Sequence, residues 1–244
     1  SIKKPITRTS IQDFKRDENA EKVRLQTCFP IKNEDLNPDY FIPTFQCLIA
    51  TVGRPVLQRM LHSLCEQFRE EDCLTIVYDG HSTIPAVFDL SKFKCKIIQH
   101  CEPVALGYWG HGIRNKYASL LEKRDFVLHA DDDNYYKPFV FDYFRVHFND
   151  VNSLYICLVK TTSGDIAGHK IQEGSIDTAC GIIPYEYNKN ATWLLRNGGD
   201  GAFYEELNRK YSGKIKHINK IIYIHTDDCS VKFKIHRNYY KIIL

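Results

Sequence analysis

The chain has 244 residues, a formal net charge of +3 and 43% hydrophobic, 13% aromatic and 26% charged side chains. That is the composition of a soluble globular protein long enough for one large α/β domain, and the charge is too small to point to nucleic acid as a partner. Nine cysteines without C-x-x-C spacing argue against a secreted disulfide framework or a zinc site, so reduced thiols in a cytosolic protein are expected.

Residues 1–40 are polar and Pro-punctuated, which predicts an N-terminal extension, with a single domain over 41–244. "FQCLIAT" (Phe45 to Thr51) has the length and flanks of a buried strand. Leu57, Met60, Leu61, Leu64 and Phe68 then recur on one face of a helix. "CLTIVYDG", "FKCKIIQH" and "DFVLHA" read as further strands, with a helix marked by Ile113, Tyr117, Leu120 and Leu121 before the last of them. Pro138 suits a first helical position and opens "FVFDYFRVHF". "SLYICLVK" predicts a strand, "GSIDTACGIIPYE" a strand pair or strand and loop, "DGAFYEELNRKY" a helix and "KIIYIHT" a last strand. Alternating strands and helices predict a mainly parallel sheet flanked by helices.

"FVLHADDDNYY" places three carboxylates directly after an apolar run. Two like charges ~4 Å apart cost about 1 kcal/mol in water and more where water is scarce, so something must offset them. In an extended chain Asp131 and Asp133 would face the same way, roughly 6.5–7 Å apart, a span that suits a shared divalent cation with oxygen ligands. The triplet also falls at the carboxyl end of a strand, where open α/β sheets hold ligands. An EF-hand is excluded because Tyr136 stands where its loop needs Gly. An acidic turn ahead of a helix is the plainer alternative.

Several stretches together resemble family 2-like inverting glycosyltransferases of the GT-A (nucleotide-diphospho-sugar transferase) fold. They are "IATVGRPVLQRMLHSLCEQ", "VYDG", "GHGIRNKY", "HADDD", "NGGDGAFYEEL" and "YIHTDD", in that order over roughly residues 45–228. Gly199-Asp200 stands where such proteins more often have Glu-Asp.

The resemblance implies a nucleotide-diphosphate sugar donor, of UDP type, and a hydroxyl of a glycan or other acceptor. Thr51, Arg54, Asp79, Arg114, Asp131 and Asp132 are implied on the donor side. Asp79 would accept from a pyrimidine N–H, or stand as the first residue of a turn before Gly80. Asp133 and Asp131, with His225, would hold Mn2+ or Mg2+, His217 being the spare for His225. Asp200 would be the general base of an inverting transfer, and an N-cap aspartate otherwise. Tyr108, Trp109 and Trp193 could stack on sugar faces or pack in the core. Lys214, Lys216, Lys220, Lys232, Lys234, Arg237 and Lys241 make the last third basic, either a solvated face or a peripheral contact with an anionic membrane. The competing readings are a sugar-phosphate nucleotidyltransferase, a retaining transferase and a non-catalytic carbohydrate-binding module on the same scaffold.

Overall fold

The computed structural model describes residues 41–86 and 88–226, and residues 42–226 belong to one compact unit. The expected extension over residues 1–40 and the basic residues Lys232, Lys234, Arg237 and Lys241 lie outside the described residues.

Five α-helices and nine strands form in chain order: β1 (Phe45–Thr51), α1 (Leu57–Cys65), β2 (Cys73–Asp79), β3 (Lys96–Glu102), α2 (His111–Tyr117), β4 (Phe126–Asp131), β5 (Tyr135–Tyr136), α3 (Val140–His147), β6 (Leu154–Lys160), β7 (Ile166–Ala167), a 3-10 turn (Thr178–Cys180), β8 (Gly181–Pro184), α4 (Tyr185–Asn188), α5 (Gly199–Lys210) and β9 (Ile215–Ile224), counted among the described residues. Strands pair in the order β3-β2-β1-β4-β8-β6-β9-β5, with β7 on β6.

The half made of β3, β2, β1 and β4 is parallel; α1 carries the crossover from β1 to β2 and α2 that from β3 to β4, while no helix forms between β2 and β3 among the described residues. Beyond β4 the sheet is mixed: β8 runs antiparallel to both β4 and β6, while β9 runs parallel to β6. The chain builds outward from β1 through β2 to β3, then returns to place β4 on the other side of β1. That reversal is a switch point, where ligands bind beyond the strand ends. In register, Ala50 lies opposite Asp131 and Thr51 opposite Tyr78.

β1 is buried along its length and divides its side chains between two cores. Phe45, Cys47 and Ile49 join the larger core with Met60, Leu64, Phe141 and Phe144, while Leu48 and Ala50 face Ile113, Tyr117 and Val127. This period-2 alternation with both faces apolar is what a covered parallel strand needs.

The Asp72 carboxylate accepts from the N–H groups of Phe45 and Arg69 and pairs with the buried Arg145 of α3, tying the start of β1 to that helix. The described cysteines are free thiols, all but Cys101 buried.

Several boundaries differ from the sequence expectation; α2, for one, ends at Tyr117, so Leu120 and Leu121 follow the helix and Leu120 is exposed. α3 begins at Val140, after Phe139 in a left-handed conformation (φ 63°), so Pro138 precedes the helix instead of opening it. α1 ends at Cys65, and Phe68 packs into the core from the turn that follows.

Candidate active site

β4 delivers Asp131 to the rim of the sheet, and the chain turns immediately afterwards, so Asp132 and Asp133 are not in a strand. The alternation expected of an extended triplet is therefore broken. Asp131 receives Nη2 of Arg114 (2.6 Å). Asp132, 2% exposed, accepts from the Thr51 hydroxyl and from the Arg54 guanidinium. The same guanidinium donates to Asp133 (2.9 Å). Within the protein, two arginines offset the mutual repulsion of the three carboxylates. Thr51 and Arg54, expected on the donor, hold this turn in place.

The turn is also fixed from behind. The Asp133 carbonyl accepts from Arg59 and from the Thr226 hydroxyl, and Thr226 N–H donates to Asn134 (3.1 Å). Tyr223 Oη accepts from Asp131 N–H (3.0 Å) and donates to its carbonyl (3.2 Å). The end of β9 is thereby pinned to the acidic turn, which brings His225 to it. His217 is exposed near the far end of the same strand, so it does not share the site.

Arg114 is fully buried on α2 and joins several parts of the site. Besides Asp131 it donates to the Trp109 carbonyl (2.8 Å) and lies 5.0 Å from the ring centre of Trp193. Trp193 is 1% exposed and stacks on Phe203 at 4.1 Å, so it is a core residue and not a sugar platform.

Asp200 sits in the first turn of α5, whose N-cap is Gly198 (φ 72°), so it is not the cap. Its Oδ1 accepts from Gly201 N–H (2.8 Å). Burial pushes its carboxyl above the ordinary aspartate range, partly offset by that amide and by Arg114. Burial likewise raises Asp131 to about 6, against the pull of Arg114 and with a further push from Asp177 and Asp133.

Asp79 uses both carboxylate oxygens within the protein, accepting from Leu106 N–H (2.7 Å) and Gly107 N–H (2.8 Å). These two bonds fasten the loop between β3 and α2 to the end of β2.

Two site residues escape sequence reasoning. Asp177 precedes the 3-10 turn, accepts from Ala179 N–H (3.0 Å), and lies 3.0 Å from Nε2 of His225. Burial lowers the His225 pKa, but Asp177, with Asp131 and Asp133 nearby, outweighs it and raises the net value. An Asp before "TAC" carries a local N-cap signal, but nothing in its spacing ties it to the acidic triplet. Arg59 is hidden in the polar positions of α1, whose pattern shows only which face is buried.

Among the described residues, no three His, Cys, Asp or Glu side chains stand as a ready-made cation cage. The donor types nevertheless fit a divalent cation. Nε2 of His225 is buried against the Asp177 carboxylate at 3.0 Å, and Asp131 and Asp133 act electrostatically on the same imidazole. Mixed imidazole and carboxylate donors suit Mn2+ and, less closely, Mg2+.

The chain matches no family model and no curated protein in sequence. Its fold is found among solved structures. S. aureus TarS 1-349 superposes with a TM-score of 0.55 at 16% identity, over 75% of this chain and 60% of that one. The same fragment in complex with UDP-GlcNAc gives 0.54 at 14% identity, over 77% and 59%. The mannosyltransferase PcManGT from Pyrobaculum calidifontis, in complex with GDP-Man and Mn2+, gives 0.56 at 11%, over 88% and 65%. The chain thus spans about 60% of the length of the TarS fragment. These neighbours are GT-A-type glycosyltransferases, and the fold of this chain is the GT-A fold, a mixed α/β sheet flanked by helices.

Proposed function

We propose that the chain is a nucleotide-sugar glycosyltransferase that depends on a divalent cation and transfers with inversion, from a UDP-sugar to a hydroxyl of a glycan or related acceptor. The observation that carries this reading is the convergence of Asp177, Asp131 and Asp133 on His225, with Asp131 and Asp200 beside buried Arg114, at the switch point of a GT-A sheet. Asp133, Asp131 and His225, joined by Asp177, would hold Mn2+ or Mg2+. Bound there with the diphosphate, the cation supplies stabilisation of the charge that grows on the leaving phosphate oxygen.

Asp200 takes the proton of the attacking hydroxyl. The oxygen of that acceptor hydroxyl then forms the new bond to the anomeric carbon while the bond from that carbon to the diphosphate breaks on the opposite face. A carboxyl raised by burial suits a base working near neutral pH, and the N-terminus of α5 keeps its ionised form accessible. Arg54, at the mouth of the turn and 38% exposed, is placed to exchange an aspartate for a phosphate oxygen. Asp79 shapes the nucleotide end through the loop it fastens. Among the described residues, no helix is long and apolar enough to cross a membrane. A peripheral contact through the basic last third belongs to the same reading; of its described members, Lys216 pairs with Asp150 and Lys220 lies over the Tyr143 ring.

The test is a thermal-shift matrix of UDP, GDP, CDP and ADP with and without Mn2+. A ligand at ~100 times its dissociation constant adds about 2.7 kcal/mol. The expected result is a shift with UDP that needs Mn2+. No shift with any of the four removes the transferase reading.

A further inference from the structure

The loop joining β3 to α2 turns in the hand that L-residues avoid. Gly107, Tyr108, Trp109 and Gly110 have φ of 64°, 55°, 54° and 82°, four left-handed residues in succession. The turn is closed by Gly110 N–H to the Gly107 carbonyl (3.2 Å) and His111 N–H to the Tyr108 carbonyl (3.0 Å). A left-handed backbone presses Cβ against the following carbonyl and is ordinarily adopted by single glycines. A tyrosine and a tryptophan held there in tandem are outliers.

Buried charge holds the turn at both ends. Asp79 grips Leu106 N–H and Gly107 N–H on one side, and Arg114 grips the Trp109 carbonyl on the other. The product of this enforced geometry is two aromatic rings facing solvent, Tyr108 51% and Trp109 69% exposed. Strain of this kind persists only where the surroundings over-determine it, and it concentrates at ligand clamps.

We propose that Tyr108 and Trp109 form a ledge on which a pyranose ring of the acceptor stacks; the word acceptor rests on the transferase reading above. One guanidinium, that of Arg114, links the Trp109 carbonyl to Asp131 and acts on Asp200, so the ledge borders the reacting groups. The loop bearing Leu194 is stapled beside it. His111 Nδ1–H donates to the Leu194 carbonyl (2.8 Å), and the Asn115 amide bonds both N–H and carbonyl of Trp193 (2.8 Å each). Sugar chemistry fits the surface offered: an apolar C–H face lies on the exposed rings while the hydroxyls stay in water.

The chain contains two tryptophans, and the other, Trp193, is buried, so indole N–H resonances give one surface reporter and one internal control. Methyl glycosides of glucose, galactose, mannose and N-acetylglucosamine are titrated into the protein, alone and with UDP and diamagnetic Mg2+. The expected result is that at least one glycoside shifts the Trp109 resonance and leaves Trp193 in place. Trp109→Gly keeps the left-handed backbone while removing the ring, so it should melt no lower than the parent and bind that glycoside about tenfold more weakly. Unchanged affinity in that variant overturns the ledge. So does a Trp109 resonance that no glycoside moves while UDP still stabilises the protein, or one that only phosphatidylglycerol vesicles move. A glycoside shift at Trp109 without stabilisation by any nucleoside diphosphate keeps the ledge and removes the transferase.

Discussion

A single side chain decides most of the chemistry proposed here. Asp200→Asn keeps the size and the Gly201 contact but cannot take a proton. Donor affinity should therefore hold while transfer falls by a factor of about 10²–10⁴; equal turnover in a direct sugar-transfer assay would remove Asp200 as the base. His129, four residues before Asp133, is fully buried with its Nε2 2.7 Å from the Asn188 side-chain oxygen. Burial, aided by Arg114, depresses its pKa to about 3, whereas an unfolded chain takes up that proton near 6.5. Between those values the unfolded state binds the extra proton, so stability falls as pH falls from about 6.5 toward 3. Asp131, raised to about 6, works in the opposite sense, so the His129 contribution is read as a difference: between pH 7 and 4 the urea midpoint of the parent should lose ground to that of His129→Gln. At this scale the acidic triplet was legible as a site because three charges after an apolar run are costly. The neutralising partners were not legible: Arg114 and Arg54 lie 17 and 78 residues from the aspartates they meet, and only the strand order brings them together.

Elements were easier to read where their own faces carry the signal. β1 occupies the seven residues its apolar run marked, and α5 begins one residue before the expected "DGAFYEELNRKY". β9 begins at Ile215, five residues ahead of "KIIYIHT", because its outer half alternates with Lys216, His217 and Asn219 and shows no apolar run. The 3-10 turn and four-residue β8 are too short to display any period. The link between elements gives a stability prediction. Arg145 on α3 and Asp72 are 4% and 1% exposed, and Asp72 also holds the first N–H of β1. Arg145→Ala strands that carboxylate, at a cost of about 3–5 kcal/mol. Asp72→Asn combined with Arg145→Met should recover part of the loss, since no charge is then left unpaired. A single mutant that melts with the parent would show that the pair does not hold β1 to α3.

Over the whole molecule, the parallel half of the sheet followed from strands alternating with helices, but the mixed half did not. β8 pairs with both β4 and β6, and β6 pairs with β9 some sixty residues later, contacts for which a local pattern carries no trace. Together the halves place a turn of three carboxylates against two guanidiniums, leaving a local sum of only one negative charge. Such a site has little long-range field with which to gather free cations from solution. On the proposed transferase reading, the cation would arrive already bound to the nucleotide, and the Arg54–Asp133 pair would have to open before either is seated. Association would then be a gated event with an intrinsic opening rate. In stopped-flow mixing with UDP and Mn2+, the observed rate should level off as ligand rises, and Arg54→Ala should restore a linear climb.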